Sequence, residues 1–413
     1  MSSTSDRLDI AADAGWQRDA KVISIVAIAH FVSHVYIMLL PPIFLLVKDH
    51  FGVDYTKIAL ALTAYNVASA LLQTPAGFLV DRIGARVMLT LGLILSGVAI
   101  CVSALLPGYW FFLIGYALLG VANTVYHPAD YSILSATIDG KRMGKAFSVH
   151  TFAGYLGSGV TPAMVIAAVA IWGWNGGFLC AAVLSFGAAI LLMVTGSVLP
   201  RVPRKTHATA AMSNTKVGLD LLLSGPILRN LLFFFCLAMA NGGIQTFGVV
   251  SLGAIHGTPA ATANIGLSGF LLFSAAGVLL GGIIADRTPH HERVAAVGFA
   301  CTSTMALLLG WVDMPAAILI FVMSLGGLLN GMIQPSRDMM VRAVTPPGSF
   351  GKVFGFVTTG FNLGGMVAPL TYAWLMDHGQ PRMIYAIVIL FILLALITCM
   401  TRRKPEGVPT WTR

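Results

Sequence analysis

Seven ionisable side chains lie inside long apolar stretches of this sequence. They are His30, His34, His127, Asp130, His150, Arg337 and Asp338. Groups of this kind are costly in apolar surroundings and usually mark a substrate or ion pathway. His30 and His34 are four residues apart and share one face of a helix. Histidine titrates near neutral pH, so the pair predicts a proton pathway. The alternative is that both are neutral and bonded to neighbouring helices.

Uncharged polar side chains supply a second set of candidates. Asn241 and Gln245 are also four residues apart, and Asn241 follows His34 by 207 residues. Two polar pairs facing one cavity suit a small polar substrate. The alternative is hydrogen bonding between helices, worth about 0.6 kcal/mol. The predicted substrate and proton pathway consists of His30, His34, Tyr36, Asn123, His127, Asn241, Gln245 and Asn330.

The elements that must position these side chains follow from the composition. The chain has 413 residues, of which 57% are hydrophobic and 10% charged, whereas soluble domains carry about 25% charged residues. About 20 apolar residues in a helix cross a bilayer. The predicted fold is therefore an all-α membrane protein with twelve spans. They lie at 22–47, 55–80, 87–106, 109–134, 145–171, 175–199, 228–253, 260–285, 293–312, 315–342, 350–376 and 382–401.

Lysine and arginine determine the predicted orientation. Of the 25 such residues, 21 fall on one side, Lys48, Lys57 and Arg382 fall on the other, and Arg337 lies within a span. Basic loops stay cytoplasmic, so both termini are predicted to be cytoplasmic, in a bacterial-type inner membrane. The net charge of +9 then needs no nucleic acid. The predicted parts are a cytoplasmic tail (1–21), a six-helix half (22–199), a cytoplasmic linker (200–227), a second half (228–401) and a cytoplasmic tail (402–413).

The two halves repeat one another. Residues 77–82, Gly-Phe-Leu-Val-Asp-Arg, have a counterpart at 282–287, Gly-Ile-Ile-Ala-Asp-Arg, 205 residues later. Asn123 and Pro128 have counterparts 207 residues later, at Asn330 and Pro335. Repeated halves with a site between them are the architecture of secondary transporters.

The same offset relates two opposite charges. Asp130 and Arg337 are 207 residues apart, and each follows its proline by two residues. They belong to different halves, so the sequence predicts that they approach each other when the cytoplasmic side closes. Asp338 and His127 are competing partners, and pairing within each half is the alternative.

Specific motifs resemble those of a known family. Residues 77–86, Gly-Phe-Leu-Val-Asp-Arg-Ile-Gly-Ala-Arg, resemble the loop 2–3 signature of the major facilitator superfamily, and residues 142–147 resemble its loop 4–5. Ser33-His34, Leu72-Gln73 with Gly77, and Tyr126-His127-Pro128 are similar to the fosmidomycin-resistance branch, a group of drug exporters. The resemblance implies a central cavity lined by spans 1, 4, 7 and 10.

The resemblance also implies a gate. Asp81, which ends span 2, is expected to meet the positive N-terminus of span 11 near Phe350. Asp286 holds the equivalent place in the second half. The predicted gating residues are Asp81, Arg86, Asp130, Asp286, Arg337 and Asp338.

The sequence predicts a transporter and no enzyme. It contains no phosphate loop, nucleophile elbow or zinc spacing, so we expect no cofactor and no metal. No polar stretch is long enough for a nucleotide domain, so the energy must come from a gradient. We expect a monomer that moves a small organic solute by alternating access, with proton-coupled efflux as the first choice. The alternatives are uptake or exchange of a small organic anion, and a membrane sensor without flux.

Overall fold

A computed structural model describes residues 4–138, 142–199, 219–288, 290–345 and 350–400. Each predicted span corresponds to one long helix or to two consecutive helices. In the first half these are Thr4–Ile37 with Phe44–Phe51, Tyr55–Ile83, Ala85–Leu105, Tyr109–Asn123 with Tyr126–Thr137, Met143–Trp172 and Gly176–Thr195. In the second half they are Gly225–Asn241 with Gly248–His256, Ala260–Arg287, His291–Trp311, Ala316–Ala343, Phe350–Asp377 and Pro381–Met400. We number them as spans 1–12.

Ten of these spans are long and apolar enough to cross a membrane. Spans 2 and 11 are helices of 29 and 28 residues, and that they complete a set of twelve membrane crossings stays a prediction. The first helix begins at Thr4, well before the predicted start of span 1 at residue 22. Most of the linker, residues 200–218, and the tail after residue 400 lie outside the described residues.

Proline and glycine interrupt three of the spans. Span 1 stops at Ile37 and resumes as a short 3-10 turn at Pro41–Ile43. Span 4 is broken between Asn123 and Tyr126, where Pro128 cannot donate a hydrogen bond to the preceding turn. Span 7 contains a π-helical turn over Gly242–Thr246, which no pattern in the sequence predicts. Interruptions of this kind commonly occur at functional sites.

The helices pack as two related bundles. Span 1 lies against span 5 in the first half, and span 8 lies against span 10 in the second. Between the halves, span 2 packs on span 11 and span 5 packs on span 8. The repeat relates span 2 to span 8 and span 5 to span 11, so these two contacts are equivalent.

Several of the contacts between the halves lie at one end of the bundle. We call this the far end, because it is opposite the linker end, where spans 6 and 7 meet the linker. Asn264 at the start of span 8 donates to the carbonyl of Pro42 over 3.1 Å, and the rings of Phe44 and Phe247 lie 5.1 Å apart. Asp377 at the end of span 11 accepts hydrogen bonds from the first residues of span 2. These contacts close the far end.

Candidate functional site

A fully buried carboxylate in span 4 is the centre of a histidine cluster. Asp130 is 0% exposed, and its Oδ2 lies 3.0 Å from His150 Nε2 and 3.5 Å from His30 Nδ1. The rings of His30 and His150 are stacked, with their centroids 3.6 Å apart. Spans 1, 4 and 5 therefore each supply one ionisable side chain to the same point. We call His30, His34, His127, Asp130 and His150 the histidine cluster.

Two further histidines extend the cluster. The ring of His34 lies edge-on to that of His30 at 4.6 Å, and its Nδ1 shares a hydrogen bond of 3.1 Å with Ser158 Oγ. His127 lies 5.3 Å from His30 and stacks on the exposed ring of Tyr131. The cluster thus runs from a buried carboxylate to half-buried imidazoles in spans 1 and 4.

Local structure explains why these side chains meet. The four-residue spacing of His30 and His34 aligns them on the face of span 1 that packs against span 5. In span 4 a new helix begins at Tyr126, directly before His127 and one turn before Asp130. Asp130 Oδ1 and the Nδ1 atoms of His30 and His127 are buried without a hydrogen-bond partner among the described residues. Buried polar groups are normally satisfied, so a polar network with these gaps is typical of a functional site.

The geometry of the cluster suits a proton better than a metal ion. Ligand atoms of His30, Asp130 and His150 lie within 4.8 Å of one another. A metal bound by an imidazole lies close to the ring plane, at about 2.0 Å from the nitrogen. The rings of His30 and His150 are stacked 3.6 Å apart and only 21° from parallel, so a single ion close to both nitrogens cannot lie in the planes of both rings.

The charge balance of the cluster limits how many protons it can hold. One imidazolium beside the Asp130 carboxylate makes a neutral pair. A second imidazolium would place two positive charges at about 4 Å, which costs about 4 kcal/mol at an effective dielectric constant of 20. The stacked His30 and His150 therefore favour a single bound proton.

The second half presents a different chemistry at the equivalent place. The Arg337 guanidinium is held by Asp338, with both Nε and Nη2 lying 2.8 Å from Asp338 Oδ1. The guanidinium also lies over the rings of Phe234 and Phe361, at 4.9 Å and 5.4 Å from their centroids. Its side chain is only 13% exposed. In this structure Arg337 and Asp130 are each paired within their own half.

The uncharged candidates fall into separate places. Gln245 Nε2 donates to Asn241 Oδ1 over 3.4 Å across the π-helical turn of span 7. Asn330 is buried at 7% exposure in span 10. Asn123 donates to Ser69 Oγ in span 2, over 3.3 Å, at the break of span 4.

Tyr36 is not part of the histidine cluster. It is 2% exposed, and its hydroxyl is hydrogen-bonded to Ser185 of span 6. Its ring lies 6.4 Å from that of Tyr126, whose hydroxyl bonds Ser96 of span 3 over 2.8 Å. The structure therefore places Tyr36 in a polar contact inside the first bundle, where it joins span 1 to span 6.

The predicted gating residues are only partly described. Asp81 is exposed at the linker end of span 2. Arg86 donates to the carbonyl of Met193 in span 6 over 3.2 Å, a contact inside the first half. The side chains of Asp286 and Phe350 lie outside the described part of the chain.

Two important residues were not among the predicted site residues. His150 is an ionisable residue of span 5, but no partner in the sequence pattern points to it. Its stacking on His30 depends on how spans 1 and 5 pack. Asp377 lies at the end of span 11. The sequence places this carboxylate at a helix end but does not indicate which other helix it contacts.

The fold and the site define a class. Apolar helices in two repeated halves, joined at the far end and containing buried ionisable groups, are the architecture of a secondary transporter. A sequence profile of the Major Facilitator Superfamily matches residues 26–254 and 231–412. The chain belongs to the Major Facilitator Superfamily and is a transporter, not an enzyme.

Known relatives include resistance proteins. The chain is 24% identical over 391 residues to the fosmidomycin resistance protein of Escherichia coli, with 91% of each chain covered. It is also 24% identical to a multi-drug resistance efflux pump of Streptococcus pneumoniae, covering 83% of this chain and 86% of the relative. The first of these similarities agrees with the branch that the sequence motifs indicated.

A solved structure has the same fold. It is a bacterial homologue of the human lysosomal transporter Spinster in an inward-facing and occupied conformation, with a TM-score of 0.76. The alignment covers 92% of this chain and 96% of that chain at 12% identity. This likeness supports the architecture alone.

Proposed function

We propose that this protein is a proton-coupled exporter of a small organic solute. The histidine cluster is the observation that carries the proposal. A carboxylate at 0% exposure beside stacked imidazoles is expensive to bury, and it offers a place for one proton. Asp130 and His150 lie in spans 4 and 5, which both pack against span 1, so a change in their protonation alters the contacts among these three helices.

Export is the preferred direction of transport. The relatives named as a resistance protein and an efflux pump cover most of the chain. Proton-driven export requires the proton and the solute to move in opposite directions. The cluster supports this exchange because it lies wholly in the first half, whereas Arg337 and its aromatic neighbours lie in the second. The proton and the solute can therefore bind to different groups. Each can still act on the other by favouring a different conformation of the transporter.

Arg337 favours a second candidate, the uptake or exchange of a small organic anion. A half-buried guanidinium can bind a carboxylate or phosphate through two parallel hydrogen bonds. An entering anion would replace Asp338, whose side chain is 44% exposed. Arg337 would keep its place over the rings of Phe234 and Phe361.

We place the protein in the inner membrane as a monomer with cytoplasmic termini. The distribution of lysine and arginine supports this orientation. In it the linker end is the cytoplasmic end, and the closed far end faces the periplasm. The structure then corresponds to a transporter closed to the outside.

Transport in vesicles tests the proposal. Purified protein is reconstituted into liposomes, and ligands are first found by thermal shift, because a ligand that binds the folded state raises its apparent stability. For an exporter, solute should accumulate in inside-out vesicles only when their interior is acidic. Accumulation driven by the opposite proton gradient would support anion uptake. A ligand that stabilises the protein but does not cross the vesicle membrane under either gradient would indicate a sensor.

A further inference from the structure

A glycine in span 5 lies against two imidazole nitrogens of span 1. A Cβ atom on Gly154 would lie 2.8 Å from His30 Nε2 and 2.9 Å from His34 Nε2. Cβ atoms are essentially never found this close to another heavy atom. A side chain at this position would therefore force one or both imidazole rings to move.

The neighbours of Gly154 distinguish it from the packing glycines of the same helix. At Gly157 a Cβ would meet the carbonyl oxygen of Phe31, and at Gly159 it would meet the side chain of Leu272. Those glycines allow helices to approach, which is their usual role in membrane proteins. At Gly154 the nearest atoms are the nitrogens of titratable rings.

The neighbours of these two rings form a row of proton-binding groups. Asp130 Oδ2 lies 3.5 Å from His30 Nδ1. On the other side of the same ring, His30 Nε2 and His34 Nε2 both border the place that a Cβ of Gly154 would occupy, and the two rings lie edge-on with their centroids 4.6 Å apart. His34 Nδ1 is in turn hydrogen-bonded to Ser158 Oγ at 3.1 Å. The row therefore runs from Asp130 through the rings of His30 and His34 to Ser158.

We propose that Gly154 is the positioning residue of a two-station proton relay between His30 and His34. This relay rests on the proposed proton coupling and specifies the path that the proton takes. In the transfer step an N–H bond at His30 Nε2 breaks, and its electron pair stays on that nitrogen. An N–H bond forms at His34 Nε2, so the positive charge moves from His30 to His34 and the number of protons is unchanged.

The two stations differ in depth and in surroundings. Four residues of helix separate His30 from His34, which is a rise of about 6 Å toward the far end. His30 faces Asp130 and His127 of span 4 and His150 of span 5. His34 is hydrogen-bonded to uncharged Ser158. A proton on His30 is therefore stabilised by the Asp130 carboxylate, whereas a proton on His34 has left that carboxylate.

Titration of His34 in the absence of substrate tests the relay. The protein is labelled with ¹⁵N-histidine and placed in lipid nanodiscs, and the His34 nitrogen signals are assigned by difference from His34→Asn. Strongly interacting groups titrate in shared macroscopic steps. We expect His34 in the unaltered protein to titrate in two steps separated by at least about one pH unit.

Substitutions separate the relay from simple packing. Gly154→Ala keeps every titratable group but pushes the two nitrogens apart, so His34 should titrate in one step. The matched control is Gly187→Ala in span 6, where a Cβ meets nothing within 4 Å, and it should retain both steps. If Gly154→Ala does not fold, His30→Asn serves instead and should likewise leave a single step.

Two results would overturn the relay. One is a single-step titration of His34 in the unaltered protein. The other is a two-step titration that survives Gly154→Ala, or that survives His30→Asn if the glycine variant does not fold. A failure of the proposed function is distinguishable, because it appears as transport that ignores the proton gradient.

Discussion

The Asp377 carboxylate at the end of span 11 caps the first turn of span 2 through Thr56. Its Oδ2 accepts hydrogen bonds from the Thr56 backbone N–H, at 2.9 Å, and from the Thr56 hydroxyl, at 2.6 Å. Its Oδ1 accepts a third from the Tyr55 N–H at 2.8 Å. A carboxylate is also favoured by the positive end of the helix dipole. One side chain of the second half therefore satisfies donors at a helix start in the first half.

Asp377→Asn should weaken closure of the far end. An amide offers one acceptor oxygen in place of two and carries no charge, so we expect a loss of about 1 kcal/mol, as for other helix caps. Spin labels at exposed positions 57 and 380 report the separation of the halves. The variant should raise the population of the longer distance about fivefold.

The matched control for Asp377→Asn removes a cap within one half. Asp54 Oδ1 accepts from the Lys57 N–H at 2.7 Å and makes its contact inside span 2. Asp54→Asn should leave the distance between the labels unchanged. An identical distance distribution in Asp377→Asn and the unaltered protein would rule out a role for this contact in closure.

His34→Ala should damage gradient-driven transport more than substrate binding. The side chain is half-buried at the second station of the cluster, where histidine can exchange a proton near neutral pH. We expect accumulation to fall by at least about tenfold, equivalent to about 1.4 kcal/mol, with little change in ligand Kd. His378→Ala, at an exposed site at the far end, is the control. Normal accumulation by His34→Ala at every pH tested would make His34 a structural residue only.

Asp130 and Arg337 should show coupling in a double-mutant cycle of transport rates. Each is paired within its own half here, and the proposed gate brings them together when the linker end closes. Because Asp130 is fully buried, Asp130→Asn and Arg337→Gln perturb the site less than a charge swap. We expect the cycle to give a coupling energy of about 0.5–3 kcal/mol. Pairing Asp130→Asn with Arg382→Gln should give additive effects, and additivity in the test pair would reject the gate.

The linker should be cytoplasmic. A cysteine introduced by Ala210→Cys should resist an impermeant thiol reagent in intact cells and react after permeabilisation, because the basic segments are retained inside. Gln380→Cys, at the exposed far end, should react in intact cells. Strong labelling at position 210 in intact cells would contradict the orientation.

The sequence by itself determined the architecture of this protein. Twelve apolar stretches, the repeat of residues 77–82 at 282–287 and the resemblance of residues 77–86 to a family signature led to the major facilitator fold, and the family match confirms it. These features are local in the chain. A bilayer forces each apolar stretch to satisfy its own backbone by forming a helix, so periodicity and length suffice.

Only the tertiary structure decided which polar groups meet. His30 and His34 share a face by helical geometry, but the stacking of His150 on His30 and the approach of Gly154 to both rings depend on the packing of spans 1 and 5. Asp377 reaches Thr56 from 321 residues away. Such contacts depend on how the helices pack against one another. The residue pattern along one helix does not specify which residues of a neighbouring helix it will contact.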